Sequence, residues 1–132
     1  MVAAAFSLAG CATASETPLI MSPAVSQDVR QAATCYMFND RSDRYVFGVQ
    51  ADMKDYDEAA EFWLERFKRV EPDAAQRQRL IKSASEKMDT DFPRREVVSP
   101  NNGDRLEVYN ASYGTIIASC ESSRAHLENT NG

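Results

Sequence analysis

The sequence predicts an all-α protein, a small bundle of four to five helices with one disulfide. Three observations carry that expectation. Apolar residues recur at intervals of three and four along most of the chain, the period of a helix that buries one face. Polar or proline-containing breaks separate these stretches at Asn39–Asp43, Glu71–Asp73 and Asn101–Asp104. The length of 132 residues suits one domain and is too short for two substantial cores.

Composition narrows the function classes. Apolar residues make up 43% and charged residues 27%, so the chain has the material for a core and does not read as disordered. Lys plus Arg number 15 against 20 Asp plus Glu, a formal net charge of −5, and the pI is near 4.9. Sequence-independent binding to DNA or RNA needs a surplus of cations to displace counterions from phosphates, so no nucleic-acid partner is expected. Five Gly and five Pro exclude collagen-like and low-complexity architectures. One His and three Cys remove most metal chemistry. After the first twenty residues no apolar run is long enough to span a bilayer. No metal and no cofactor are expected.

The elements follow in order. Ser22-Pro23 has the chemistry of a helix start, a capping hydroxyl followed by proline at the first helical position. The first helix is expected from there to about Phe38, with Val25, Val29, Ala32, Ala33 and Tyr36 on its inner stripe and Cys35 beside it. Asn39-Asp40-Arg41-Ser42-Asp43 is a polar break. It superficially resembles a calcium loop, but Arg41 stands at the third ligand position and the turn glycine is missing, so calcium is not expected. Tyr45, Val46, Phe47 and Val49, broken by Gly48, fit a strand or a helix by periodicity alone. With no hairpin partner nearby, the run is read as a short helix.

The strongest helix comes next. Tyr56, Ala60, Trp63, Phe67 and Val70 step by fours and threes, and Phe62 and Leu64 widen the buried face. Asp57, Glu58 and Glu61 stand near its start and Arg66, Lys68 and Arg69 near its end, the order that complements a helix dipole. Glu71-Pro72-Asp73 ends this helix and begins another, with Leu80, Ile81, Ala84 and Met88 inside. Its residues Arg77, Arg79, Lys82, Glu86 and Lys87 cover the outside. Asp89 to Pro100 is a connector. The last helix reads Leu106, Tyr109, Tyr113, Ile116, Ile117 and Cys120. The helical domain is thus expected over residues 22–124, with a polar tail over 125–132 that holds the lone His126.

The N-terminus carries the most specific signal. Residues 1–10 are apolar or small, and nothing charged appears before Glu16, so the segment lacks the polar face of a surface helix. It reads as the apolar region of an export signal. Leu8-Ala9-Gly10-Cys11 resembles the lipobox of bacterial lipoproteins. The resemblance implies that residues 1–10 are a signal cut before Cys11 and that the Cys11 thiol is acylated. Residues 11–21 then carry the lipid and a short tether. Ala12 resembles the signal for onward transport to the outer membrane, which implies an outer-membrane lipoprotein facing the periplasm. Export signals carry a basic first region and none precedes Cys11, so a basic segment is expected upstream of Met1. Ala12-Thr13-Ala14 fits an A-x-A cleavage site, which leaves a soluble periplasmic protein open. A cytosolic chain with an accidental match is the third reading.

Acylation of Cys11 would leave Cys35 and Cys120, an even number in an oxidising compartment, and they are expected to pair. Two small buried free thiols are the alternative. Closing a loop of roughly 85 residues contributes roughly 4 to 5 kcal/mol on the chain-entropy model. The absence of a Cys-x-x-Cys argues against a thiol-redox catalyst. With each cysteine near the end of its helix, the first and last helices are expected to run roughly parallel or to cross near those ends.

Catalytic constellations are absent: no G-x-S-x-G elbow, Walker loop, H-E-x-x-H or Cys-x-x-Cys-His occurs. Asp55, Glu58 and Glu61 are the carboxylates that a glycoside hydrolase could use, yet acids at a helix start are ordinarily solvated. Trp63, Phe62, Phe67, Tyr109 and Tyr113 can line a cavity, but at helical spacing they read as core. Tyr56-Asp57-Glu58-Ala59-Ala60 through Glu71-Pro72-Asp73 resembles the second helix of a tetratricopeptide repeat and the turn after it. Gly48, Ala60 and Pro72 fall at that family's Gly, Ala and Pro positions, with Phe47 and Leu64 at two apolar ones. Arg44 and Ala51 stand where Trp and Tyr are usual, and no second copy lies one repeat away. That resemblance implies a peptide-binding adaptor; the residues alone read as a helical hairpin.

The expected function is a small cell-envelope lipoprotein acting as a structural or protein-interaction module, without catalytic activity. Its partners are the membrane, through the N-terminal lipid, and an envelope protein. The alternatives are a periplasmic inhibitor or immunity-type protein that offers its acidic surface to a basic partner, a tetratricopeptide-like binding protein, and a small carboxylate-based hydrolase.

Overall fold

The computed structural model describes the backbone of residues 17–41, 53–92 and 103–131. A 3-10 turn, Leu19–Met21, precedes four α-helices: α1 (Gln27–Asp40), α2 (Met53–Val70), α3 (Ala74–Asp91) and α4 (Gly103–Asn131). The described residues contain no strand, and Cys35 and Cys120 form a disulfide pair with Cα atoms 5.7 Å apart. The all-α bundle is therefore as the sequence predicts. The lipobox-like Leu8–Cys11, the apolar run at Tyr45–Val49 and most of the connector before Pro100 lie outside the described residues.

Helix α1 begins four residues later than Ser22-Pro23 implies. Its N-cap is Ser26, whose side chain accepts from the Val29 amide at 3.2 Å. Ser22 instead organises a turn, its carbonyl accepting from Val25 N at 3.0 Å and its Oγ from Ala24 N at 3.2 Å. The reason lies in Arg30. Its Nε donates to the Ile20 carbonyl at 2.8 Å and its Nη2 to the carbonyls of Ser22 and Val25 at 3.0 Å each. In a helix begun at Ser22, the amides four residues on would take the Ser22 and Val25 carbonyls. The turn leaves the Val25 carbonyl to the guanidinium, which shares the Ser22 carbonyl with Val25 N and is a charge-assisted and therefore stronger partner.

The same turn brings Ile20 into the core, 1% exposed, with its amide donated to Ser83 Oγ of α3 at 2.9 Å. The end of the expected tether over 11–21 is thus folded against the bundle. The expected polar tail is corrected too. Helix α4 continues through it to Asn131, with Leu127 packed against the core. Arg124 pairs with Glu121 and Glu128, at 3.8 and 3.4 Å, one turn to either side.

Helix α1 is the centre of the bundle, and its longest interface is with α2. Ala32 and Ala33 of α1 and Ala59 and Ala60 of α2 are buried, and their small side chains let helices approach closely. Trp63 and Phe67 fill the space beside them. Pro72 follows the end of α2, and Asp73 caps α3 through the amides of Ala75 and Gln76 at 3.0 and 3.4 Å. Arg77 Nη1 collects the carbonyls of Glu71 and Pro72 at 2.8 Å each. On α3, Leu80, Ala84 and Met88 are buried, the stripe expected from the sequence.

Helices α1 and α4 run antiparallel, not parallel. Gln31 bonds to Ser123, Cys35 to Cys120, and Phe38 accepts from Tyr113, so partners on α4 descend as those on α1 ascend. The last helix does not end soon after Cys120, the end that its polar sequence implies. With α4 extending to Asn131, that cysteine lies in mid-helix, where antiparallel helices meet freely.

Candidate functional site

Two of the three carboxylates singled out from the sequence can be placed. Glu58 and Glu61 are exposed on α2, and the Asp55 side chain lies outside those described. Glu58 instead faces Glu121, Arg124, Ala125 and Glu128 of α4 across a surface depression of about 360 Å³. The Arg124 guanidinium crosses this depression and lies 5.3 Å from the centre of the Phe62 ring. Three acids around one arginine make a solvated acidic patch.

The aromatic residues divide between two clusters. Trp63 and Phe67 are fully buried, and Phe62 sets its ring edge against Trp63 with centroids 5.1 Å apart. Tyr113 packs with Phe38 and Phe92 at centroid distances of 5.0 and 5.5 Å and donates its hydroxyl to the Phe38 carbonyl. Each set is core, which is what helical spacing implies. The Tyr109 side chain lies outside those described. Among the described residues, Trp63 Nε1 and Arg66 Nε are buried without a hydrogen-bond partner.

Two concave features were not legible in the sequence. The first is a cleft of about 400 Å³ where α1, α3 and α4 meet. Phe38, Met88, Phe92 and Ile116 give it apolar walls, the Cys35–Cys120 pair lies along one side, and Thr34 and Ser119 supply hydroxyls. The second is a wider depression of about 670 Å³ beside the 3-10 turn, lined by Leu19, Arg79, Lys82, Ser83, Glu86 and Lys87 among others. Both depend on the turn at Leu19–Met21 folding onto α3, which no local pattern announces. The available signal was Arg30, a cation on the first helix within ten residues of the carbonyls it bonds.

Burial raises the phenol pKa of Tyr36 above its ordinary 10.0, and Asp40 adds to the effect while Arg41 opposes it. Tyr56 is raised by burial as well. Among the described residues no group of three His, Cys, Asp or Glu side chains is placed to hold a metal, and His126 is exposed on α4. No described helix is long and apolar enough to cross a membrane. Comparison with protein-family models, with curated proteins and with solved structures gives no match.

Proposed function

We propose that this protein is a small cell-envelope lipoprotein, anchored through Cys11, whose helical domain is a structural or protein-interaction module facing the periplasm. The observation that carries the reading is the pairing of cysteines. The chain has three, and the fold brings Cys35 and Cys120 together as a disulfide pair. That leaves Cys11, the one that stands in the lipobox-like Leu8-Ala9-Gly10-Cys11. Disulfides persist in oxidising compartments, which supports export. The solvated state of Glu58 and its neighbours favours an interaction role over hydrolysis.

Metabolic labelling with a palmitate analogue tests the reading. The wild-type protein is expected to take the label and to fractionate with the envelope, and Cys11→Ser is expected to lose both. Unlabelled wild-type protein in the cytosol would refute it. The acidic depression at Glu58, Glu121 and Glu128 supports a narrower version, in which a basic envelope protein docks there. Capture of that partner should weaken as salt is raised, and Glu121→Lys with Glu128→Lys should abolish it.

A further inference from the structure

The 3-10 turn carries a feature that packing does not explain. Leu19 and Met21 are the large hydrophobic side chains left exposed among the described residues, at 39% and 44%. They flank Ile20, which is buried and pins the turn, so that Leu19 borders the depression on α3 and Met21 the cleft between α1, α3 and α4. The pin is strong: Ser83 Oγ accepts from the Ile20 amide, and the Arg30 guanidinium holds the carbonyls of Ile20, Ser22 and Val25. A preorganised apolar pair loses little freedom when it enters another phase.

We propose that this face of the domain rests on a phospholipid surface bearing anionic headgroups. The inference rests on the reading of Cys11 as the anchor, and it adds how the anchored domain sits. Leu19 is eight residues beyond Cys11, which at full extension spans at most about 29 Å. The turn is therefore the part of the described domain nearest the anchor along the chain. Charge points the same way. Arg79, Lys82 and Lys87 border the depression beside Leu19, with Glu86 and Asp91. Lys87 is paired with Asp91, whereas Arg79 and Lys82 have no acidic partner among the described residues. From Ala74 to Ser85, α3 carries Arg77, Arg79 and Lys82 and no acid, in a chain whose net charge is −5. Cations beside a short apolar projection are what an anionic interface attracts. The acidic depression lies on α2 and α4, so a domain seated by its α3 side keeps Glu58, Glu121 and Glu128 clear for a protein partner.

The test uses the protein purified from the envelope and reconstituted into vesicles of phosphatidylethanolamine and phosphatidylglycerol. Mass spectrometry first reads the modification at Cys11. If the thiol is free, or cleavage after Ala14 has removed it, the protein with Cys11 retained and unmodified is coupled there to a maleimide lipid, so that the seating is tested whichever way the anchor reads. In a Leu19→Trp variant the new indole is expected to lose most of its emission to lipids with brominated acyl chains. The parent's own Trp63, fully buried, keeps its emission and serves as the control. Arg79→Glu with Lys82→Glu, or high salt, is expected to restore the Leu19→Trp signal while the melting curve stays unchanged. Equal emission in brominated and plain vesicles would overturn the proposal. Quenching that ignores both charge reversal and salt would overturn it as well, as would a protein partner cross-linked at position 19 in place of lipid.

Discussion

Arg30 does at one position what a longer stretch of regular structure would otherwise do. Its guanidinium gathers three carbonyls from the segment before α1, and a fourth contact to Gln27 Oε1 at 3.0 Å fixes its plane. Arg30→Met is expected to lower stability by about 1 to 3 kcal/mol, the usual range for losing hydrogen bonds from a charged donor, as read by urea unfolding. It should also speed protease cleavage between Met21 and Gln27. Tyr113 gives a second single-residue test. Its hydroxyl serves the buried Phe38 carbonyl, so Tyr113→Phe should cost about 1 to 2 kcal/mol with the aromatic packing kept. Tyr36 makes a pH prediction. The fold favours its neutral phenol, so the folded pKa lies above the ordinary 10.0. The associated stability is fully present below pH 10.0 and is lost as pH rises through the folded value. Stability curves of wild type and Tyr36→Phe should run parallel below that point and diverge above it, the wild type falling faster. Equal alkaline slopes would contradict the assignment.

At the scale of the elements, the caps state where α1 and α3 begin. Ser26→Ala and Asp73→Ala should each cost about 1 kcal/mol, whereas Ser22→Ala should cost less because the Ser22 side chain caps no α-helix and accepts only from Ala24 N. What the sequence revealed and concealed follows the same division. The inner stripes of α2 and α3 were legible, because Trp63, Phe67, Leu80, Ala84 and Met88 obey a local period that burial then uses. The start of α1 was not, because Ser22 and Ser26 are both good caps and the choice depends on Arg30 and Ser83, the latter 63 positions from Ile20. The end of α4 was missed for a related reason. Residues after Arg124 are polar, and what sustains the helix there is the run of Arg124 contacts to Glu121 and Glu128, together with Leu127 on the core. Glu58 was legible as an exposed acid on α2, but its meeting with Glu121 and Glu128 depends on how α2 and α4 pack.

For the whole molecule, the Cys35–Cys120 pair joins two antiparallel helices across a sequence separation of 85. On the chain-entropy account its loss, in Cys35→Ser with Cys120→Ser, should lower stability by about 4 to 5 kcal/mol, which reductant should reproduce in the wild type. A domain this small has a total stability of about 5 to 15 kcal/mol, so the change should be visible as a large drop in the urea midpoint. The pair also fixes what Cys11 is free to do. Mass spectrometry of the protein isolated from cells without reductant, with free thiols blocked at lysis, tests that assignment most directly. The account requires a cross-linked peptide pair containing Cys35 and Cys120, and a Cys11 peptide that begins at Cys11 and carries acyl mass. Blocked thiols at Cys35 and Cys120, or an unmodified Cys11 still joined to Gly10, would contradict it.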